Sequence, residues 1–214
     1  MSKIQVLIAG HGGQGIMMLG DYLAYAGMLQ GRHVAYIPSY GPETRGGKAK
    51  CYVILSDEVV DNPIAEEPDV EIIMNEPSMD FLNNLRQKGL IIYNRSLVEK
   101  GVDRADLRVL AIPATEIADR LGDQGRETDM KMFANAVMFG AFLEMCMPEV
   151  TEDQIKETLK HFLTGKKESL MPSNYRAIER GRLFARSNSP SDHNEDWPSN
   201  VRSNDSSTPV QINH

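Results

Sequence analysis

Over the first 112 positions the apolar residues fall into short blocks that switch between two periods. Blocks near 3–9, 33–37, 49–55, 70–74, 89–93 and 107–112 are rich in Val, Ile and Leu and bounded by Gly, Pro, Asn or Asp, so each reads as a strand. Between the first two, Ile16, Leu19, Leu23 and Ala26 recur at helical spacing, which predicts a helix over 15–29 ended by Gly31. Strands alternating with helical segments are the signature of an α/β domain. The pattern predicts a Rossmann-like, mainly parallel sheet flanked by helices.

Downstream the spacing turns helical. It predicts helices over 78–88 with Ser78 as cap, over 114–121, over 129–147 as the longest apolar-rich segment, over 151–163 and over 173–185. Pro148 closes the long helix, and Thr151 with Gln154 forms a capping arrangement at the start of the next. The last helix carries Arg176, Arg180 and Arg182, which read as a solvated or interface face. From Ser187 the chain turns to Ser, Asn, Asp and Pro, with only Trp197, Val201, Val210 and Ile212 notably apolar. Such a segment buries too little surface to offset its ordering entropy. The expected organisation is one α/β domain over 1–186, its C-terminal part helical, and a disordered polar tail over 187–214.

Composition narrows the class. With 214 residues and 41% hydrophobic content, the chain can bury one sizeable core without a second domain. No apolar run approaches the roughly 18 residues that a membrane span needs, and no signal peptide opens the chain, so a cytoplasmic protein without membrane contact is expected. A net charge of −7 argues against nonspecific nucleic-acid binding. Cys51 and Cys146 cannot supply the four thiolates an iron–sulfur cluster usually takes and lack zinc spacing. Both are expected to be buried thiols, and no metal site is expected on this chain.

The candidate chemistry begins where the first strand ends, in GHGGQG. Gly10, Gly12 and Gly15 satisfy G-x-G-x-x-G, Gly13 adds a fourth glycine, and His11 and Gln14 fill the turn. Such a turn aims backbone N–H groups and a helix N-terminus at a phosphate, although a turn serving packing alone also fits. Dinucleotide-binding domains carry an acid at the end of the second strand to hold ribose hydroxyls. Here no acid follows until Glu43, which disfavours NAD. Instead comes a polar loop of Tyr40, Gly41, Pro42, Glu43, Thr44, Arg45, Gly46 and Gly47. In a parallel sheet this loop and the glycine turn leave the same carboxyl end, forming a cleft for an anionic ligand. Arg45 is suited to grip a phosphate bidentately, with Lys48 and Lys50 adding charge and Tyr40 stacking on a ring. The alternative is that Arg45 and Glu43 brace the loop or an interface. His11 reads as a binding or packing residue rather than an acid/base, and no catalytic residue is expected.

GHGGQG followed about 25 residues later by YGPETRGG resembles the gamma subunit of the 2-oxoacid:ferredoxin oxidoreductases, the pyruvate, 2-oxoglutarate and ketoisovalerate family. The resemblance continues through 51–56, through 68–75 and through the helix around Asn135, Ala136, Val137 and Gly140, covering residues 3 to 183. It implies a complex that oxidatively decarboxylates a 2-oxoacid with coenzyme A, giving acyl-CoA, carbon dioxide and electrons for ferredoxin. It further implies that alpha and beta partners, with a delta-type partner in some members, hold thiamine diphosphate, magnesium and iron–sulfur clusters. By the same resemblance, Gly10, Gly12, Gly13, Gln14 and Gly15 lie near the coenzyme A phosphates, and 40–47 line the same cleft or face the thiamine-bearing partner. A slight preference for 2-oxoglutarate follows from the glycine turn and the 37–47 segment. A stand-alone nucleotide-binding module and the small subunit of an indolepyruvate-type enzyme remain alternatives.

Overall fold

The computed structural model describes residues 3–40, 48–61, 67–121 and 130–190. The tail expected over 187–214 lies outside them from 191 onward, while its first residue, Ser187, ends the last helix. All six expected strands are present: β1 (Lys3–His11), β2 (His33–Tyr40), β3 (Lys48–Ser56), β4 (Val70–Ile73), β5 (Leu90–Asn94) and β6 (Arg108–Ile112). They form one sheet in the order β2-β3-β1-β4-β5-β6.

Five strands run the same way, but β3 lies antiparallel to both β1 and β2. The sheet is thus mainly parallel, as expected, with β3 its one antiparallel strand. The 41–47 link is too short for the crossover that a parallel neighbour requires, so β2 and β3 form a hairpin inserted beside β1.

Helix α1 (Ile16–Leu29) follows the glycine turn directly, as expected. Gly20 and Gly27 lie on its sheet-facing side, where a methyl group would meet Cys51 Sγ at 2.7 Å and Leu55 Cδ2 at 2.5 Å. Two glycines one heptad apart thus let α1 settle closely on the hairpin. The remaining helices are α2 (Ala114–Asp119), α3 (Ala134–Cys146), α4 (Glu152–Phe162) and α5 (Met171–Ser187). Helix α3 is apolar on nearly every side and almost wholly buried, the mark of a helix at the centre of a core rather than on its surface. It crosses α5 where Gly140 faces the Ile178 carbonyl and Gly181 faces the Val137 carbonyl, with no room for a methyl on either glycine.

Helix α4 begins with the expected capping box: Gln154 N donates to Thr151 Oγ1 at 3.3 Å and Gln154 Oε1 accepts from Thr151 N at 3.0 Å. The expected helix over 78–88 is instead a 3-10 segment, Glu76–Asn84, capped by Asn75 rather than Ser78. Pro77 in its first turn and the near absence of buried side chains leave no apolar stripe to sustain a longer α-helix. The long helix expected over 129–147 is α3 preceded by a 3-10 turn, Met130–Phe133, and another 3-10 stretch, Gly165–Leu170, precedes α5.

The sheet is covered unequally. One face carries Val6, Ile8, Val53, Val70, Ile72, Leu90 and Ile92 into the main core with α1, α3, α4 and α5. The other carries Ala9, Ile73, Ile91 and Tyr93 into a smaller cluster under the 3-10 segment and the 95–107 connection. Among the described residues no helix is long and apolar enough to cross a membrane.

Candidate functional site at the carboxyl end of the sheet

From β1 the chain moves first to one side of the sheet, through α1, β2 and β3, and then to the other, through β4. The carboxyl ends of β1 and β4 therefore flank the point where the winding reverses, where open α/β sheets hold ligands. The glycine turn occupies this point.

Gly10 and His11 still belong to β1, paired with Ala49 and Lys48, so the turn proper spans 12–15. A methyl at Gly10 would meet Ile16 Cδ1 at 2.5 Å, Gln14 Oε1 at 2.7 Å and Met74 Cβ at 3.0 Å. Gly13 has φ 98° with nothing within 4 Å of where a side chain would sit, and Gly15 has φ 73° against the Asn135 side chain. These left-handed angles favour glycine. At Gly13 the backbone is bare toward solvent; at Gly15 it is pressed against α3, with Asn135 Nδ2 donating to Gly15 O at 3.4 Å. Gly15 is also the N-cap of α1, which has no side-chain cap and no acidic residue in its first turn. The positive end of the helix dipole is thus left without a built-in counter-charge, an arrangement suited to an anion.

His11 is exposed, and its Nδ1 lies 2.9 Å from Gly12 O, which as a carbonyl can only accept, so Nδ1 carries the proton in this contact. Gln14 turns inward. Its Oε1 accepts from His11 N at 2.9 Å and from Asn75 Nδ2 at 3.1 Å, and its Nε2 donates to Met74 O at 3.3 Å. Of the second loop, Gly41, Pro42, Glu43, Thr44, Arg45, Gly46 and Gly47 lie outside the described residues, as does the Tyr40 side chain. The two ends of that loop are fixed beside the turn, since Lys48 pairs with His11 and the Tyr40 backbone with Ala49. The expected adjacency therefore holds for the residues that bound the second loop, Tyr40 and Lys48, which a hairpin rather than a parallel crossover brings beside the turn.

Lys48 and Lys50 do not join this site in the expected way. They alternate with Ala49 and Cys51, which enter the α1 core, and so face the opposite side of the sheet. There Lys48 Nζ pairs with Asp80 at 2.6 Å, and Lys50 Nζ lies 5.0 Å from the Phe81 ring centroid and 5.4 Å from that of Tyr52. Of the three arginines expected on the last helix, Arg182 is engaged within the fold. Arg182 donates to the carbonyls of Val150 and Pro148 and, with Arg186, pairs with Glu144 on α3.

Sequence reasoning missed two side chains that shape this end of the sheet. Asn75 Oδ1 accepts from Ser78 N at 3.1 Å, capping the 3-10 segment. Asn94 Oδ1 accepts from Ala114 N at 3.1 Å and its Nδ2 donates to Thr115 Oγ1 at 2.9 Å, tying the end of β5 to the start of α2. The signal available was local: Asn immediately before Glu-Pro-Ser marks a helix start.

Elsewhere, a groove of about 820 Å³ beside Arg86 and Arg104 opens at the amino ends of β4 to β6. Its guanidinium groups are engaged, Arg86 with Asp69 and Arg104 with Asp106 and the Leu82 and Leu85 carbonyls. The backbone donors at the opposite end make the better anion site. Among the described residues no three His, Cys, Asp or Glu side chains converge on a metal position. Cys51 on β3 and Cys146 on α3 are both buried, and burial pushes the Cys51 thiol up to about 12 and raises that of Cys146. Protonated thiols in separate core positions do not fit a cluster.

Residues 5–184 match the family model described as pyruvate ferredoxin/flavodoxin oxidoreductase. The chain is 35% identical over 187 residues to the ketoisovalerate oxidoreductase subunit VorA of Methanothermobacter thermautotrophicus, a match spanning 87% of this chain and 37% of that protein. It thus spans little more than a third of the length of that relative. It is 31% identical over 144 residues to the 2-oxoglutarate synthase subunit KorC of Methanocaldococcus jannaschii, covering 66% of this chain and 74% of KorC. In fold it is similar to the keto/oxoacid ferredoxin oxidoreductase gamma subunit of Geobacter sulfurreducens, with TM-score 0.69 and 22% identity over 86% of this chain and 99% of that one. It is also similar to part of the 2-oxoglutarate:ferredoxin oxidoreductase of Magnetococcus marinus, with TM-score 0.78 and 22% identity over 90% of this chain and 32% of that one. The chain belongs to the pyruvate ferredoxin/flavodoxin oxidoreductase family, as a unit of its gamma-subunit type.

Proposed function

We propose that this chain is the coenzyme A-binding gamma unit of a thiamine diphosphate-dependent 2-oxoacid:ferredoxin oxidoreductase. The complex would convert a 2-oxoacid and coenzyme A to acyl-CoA and carbon dioxide, passing two electrons to ferredoxin. The observation that carries the reading is the uncapped start of α1, with no acid in its first turn, behind a glycine turn bare at Gly13. Coenzyme A brings phosphates to such a site. The absence of an acid at the end of β2 fits as well, since the 3′-phosphate on its ribose would be repelled by one. The 40–47 loop, of which 41–47 with Arg45 lie outside the described residues, would line the same cleft or face the thiamine-bearing partner.

Carbanion chemistry on the 2-oxoacid is what thiamine diphosphate supplies when bound, and among the described residues no group of His, Cys, Asp or Glu is fitted to its metal or to a cluster. Both belong to alpha, beta or delta-type partners, and electrons leave through those partners to ferredoxin. This chain's own share is to bind and orient coenzyme A and to help assemble the complex. The Magnetococcus marinus enzyme, whose structure holds 2-oxoglutarate, coenzyme A and succinyl-CoA, is in keeping with that ligand. We assign 2-oxoglutarate as the substrate because KorC is matched over most of its own length. The higher identity to VorA favours ketoisovalerate as the second reading.

Anaerobic affinity purification of the chain from its host tests this directly. The expected result is a brown complex in which coenzyme A slows amide exchange across 10–18 and supports 2-oxoacid-dependent ferredoxin reduction, faster with 2-oxoglutarate than with ketoisovalerate. A colourless monomer indifferent to coenzyme A would refute the proposal and leave a stand-alone nucleotide-binding module.

A further inference from the structure

We propose that Gln14 and Asn75 form a positioning pair that sets the shape of the glycine turn for its anionic ligand, without either side chain touching that ligand. The inference rests on the coenzyme A reading for the identity of the ligand, but not for the existence of the clamp.

Three observations carry it. First, the Gln14 carboxamide is consumed internally: Oε1 takes two donors, His11 N and Asn75 Nδ2, while Nε2 faces the Met74 carbonyl. Reversing the amide would set its NH2 against two donors and its oxygen against a carbonyl, so the network itself fixes the orientation. Second, Gly10 leaves space for this carboxamide, because a methyl there would sit 2.7 Å from Gln14 Oε1. Gly10 thus serves the clamp rather than the ligand. Third, Asn75 is 7% exposed and itself held, its Oδ1 occupied by Ser78 N at the start of the 3-10 segment. Neighbouring Glu76 extends the connection, its Oε2 accepting from Glu99 N at 2.8 Å and Lys100 N at 3.2 Å.

The consequence is a hydrogen-bonded path from the turn to the thinner face of the sheet. His11 N–H is held by Gln14, Gln14 by Asn75 and the end of β4, and Asn75 by the 3-10 segment. Side chains 61 residues apart in sequence thereby determine where the turn amides point. A carboxamide suits the role because one group must accept from two N–H donors and also donate to a carbonyl. A carboxylate could not make the last bond and would bring a negative charge to an anion site.

The informative variant is Asn75→Ser. Serine caps a helix start about as well as asparagine and is neutral, but it is too short to reach Gln14. If Asn75 were only a cap, this change would be silent at the turn. Positioning predicts that His11 amide exchange in the full-length chain speeds up by about fivefold to tenfold, the loss expected when one restraining hydrogen bond goes. Gln14→Ala should do the same, and the double variant should be no worse than Gln14→Ala alone, because both changes break one path. In the assembled complex, the KM for coenzyme A should rise about tenfold while that for the 2-oxoacid stays constant. Wild-type exchange at His11 in Asn75→Ser, or additive single effects, would overturn the clamp. Faster exchange at His11 with an unchanged KM for coenzyme A would instead overturn the claim that the clamp serves the ligand. The coenzyme A reading fails separately, if coenzyme A gives wild-type complex no protection at the turn.

Discussion

Replacing Glu71 with Gln probes a carboxyl group placed where a charge has no support. Glu71 lies in β4 between Leu7 of β1 and Ile91 of β5, with no exposed surface, on the thinner face of the sheet. Neither carboxyl oxygen has a hydrogen-bond partner among the described residues. Burial pushes the carboxyl up to about 8, opposed only by the Arg104 guanidinium. The sign follows from proton counting. Between the ordinary value of 4.5 and about 8 the folded chain keeps a proton that the unfolded chain has released. Stability is therefore fully present below the lower value, falls by about 1.4 kcal/mol per pH unit as pH rises, and levels off above the upper one. By neutral pH the accumulated loss is on the order of 3 kcal/mol, a large fraction of the stability of an ordinary domain. Glutamine has nearly the same shape and cannot ionise. Urea unfolding of wild type and Glu71→Gln, compared from about pH 6 to about pH 9, should give a stability difference that grows in favour of the variant up to about pH 8 and then stays flat. Taking the difference cancels the other carboxylates, including Asp69, which burial also raises, and Glu152, which Lys156 lowers. A difference independent of pH would refute the reasoning, and would mean that Glu71 is ionised and partnered in the folded chain.

Gly140→Ala and Gly181→Ala should each destabilise by about 1–3 kcal/mol or more, because each methyl meets a backbone carbonyl of the crossing helix, which cannot move aside as a side chain can. Chemical denaturation would show it, and a loss under about 0.5 kcal/mol would mean that α3 and α5 cross less closely than described. Thr151→Ala should cost about 1 kcal/mol by deleting half of the α4 capping box, read as a lowered Tm. An unchanged Tm would show that the Gln154 contacts with Leu29 O and Gln30 hold that helix start without the cap.

The strands were legible because buried β-strands in this sheet are nearly continuous apolar blocks, Leu90–Asn94 and, but for Glu71, Val70–Ile73 among them, which have few other ways to hide their side chains. Strand direction is a different kind of information. The direction of β3 was encoded by what does not lie between residues 40 and 48, since a link that short cannot carry a chain back for a parallel return. The glycine turn was legible as a turn because positive φ at Gly13 and Gly15 is a local demand. The role of Gln14 was not, because its partners, Met74 and Asn75, follow a strand that reaches it only through the fold. Lys48 and Lys50 failed as ligand groups for a related reason: strand alternation had already assigned Cys51 and Val53 to the helix-covered face, which turned both lysines away.

At the carboxyl end of the sheet, backbone ends are fastened by amides. Gln14 and Asn75 close the turn against β4, Asn94 fastens β5 to α2, and Asn135 ties α3 to Gly15 while its Oδ1 accepts from Ala136 N. Aspartate would cap the 3-10 segment or α2 as well as asparagine does. It would also place negative charge near the start of α1, which has neither an acid in its first turn nor a side-chain cap. Glu76, the acid that follows β4, directs its carboxylate to the Glu99 and Lys100 amides. A chain of net charge −7 can thus keep one end of its sheet receptive to an anion. Backbone donors and a helix dipole provide the attraction, and neutral side chains hold them in place without cancelling it.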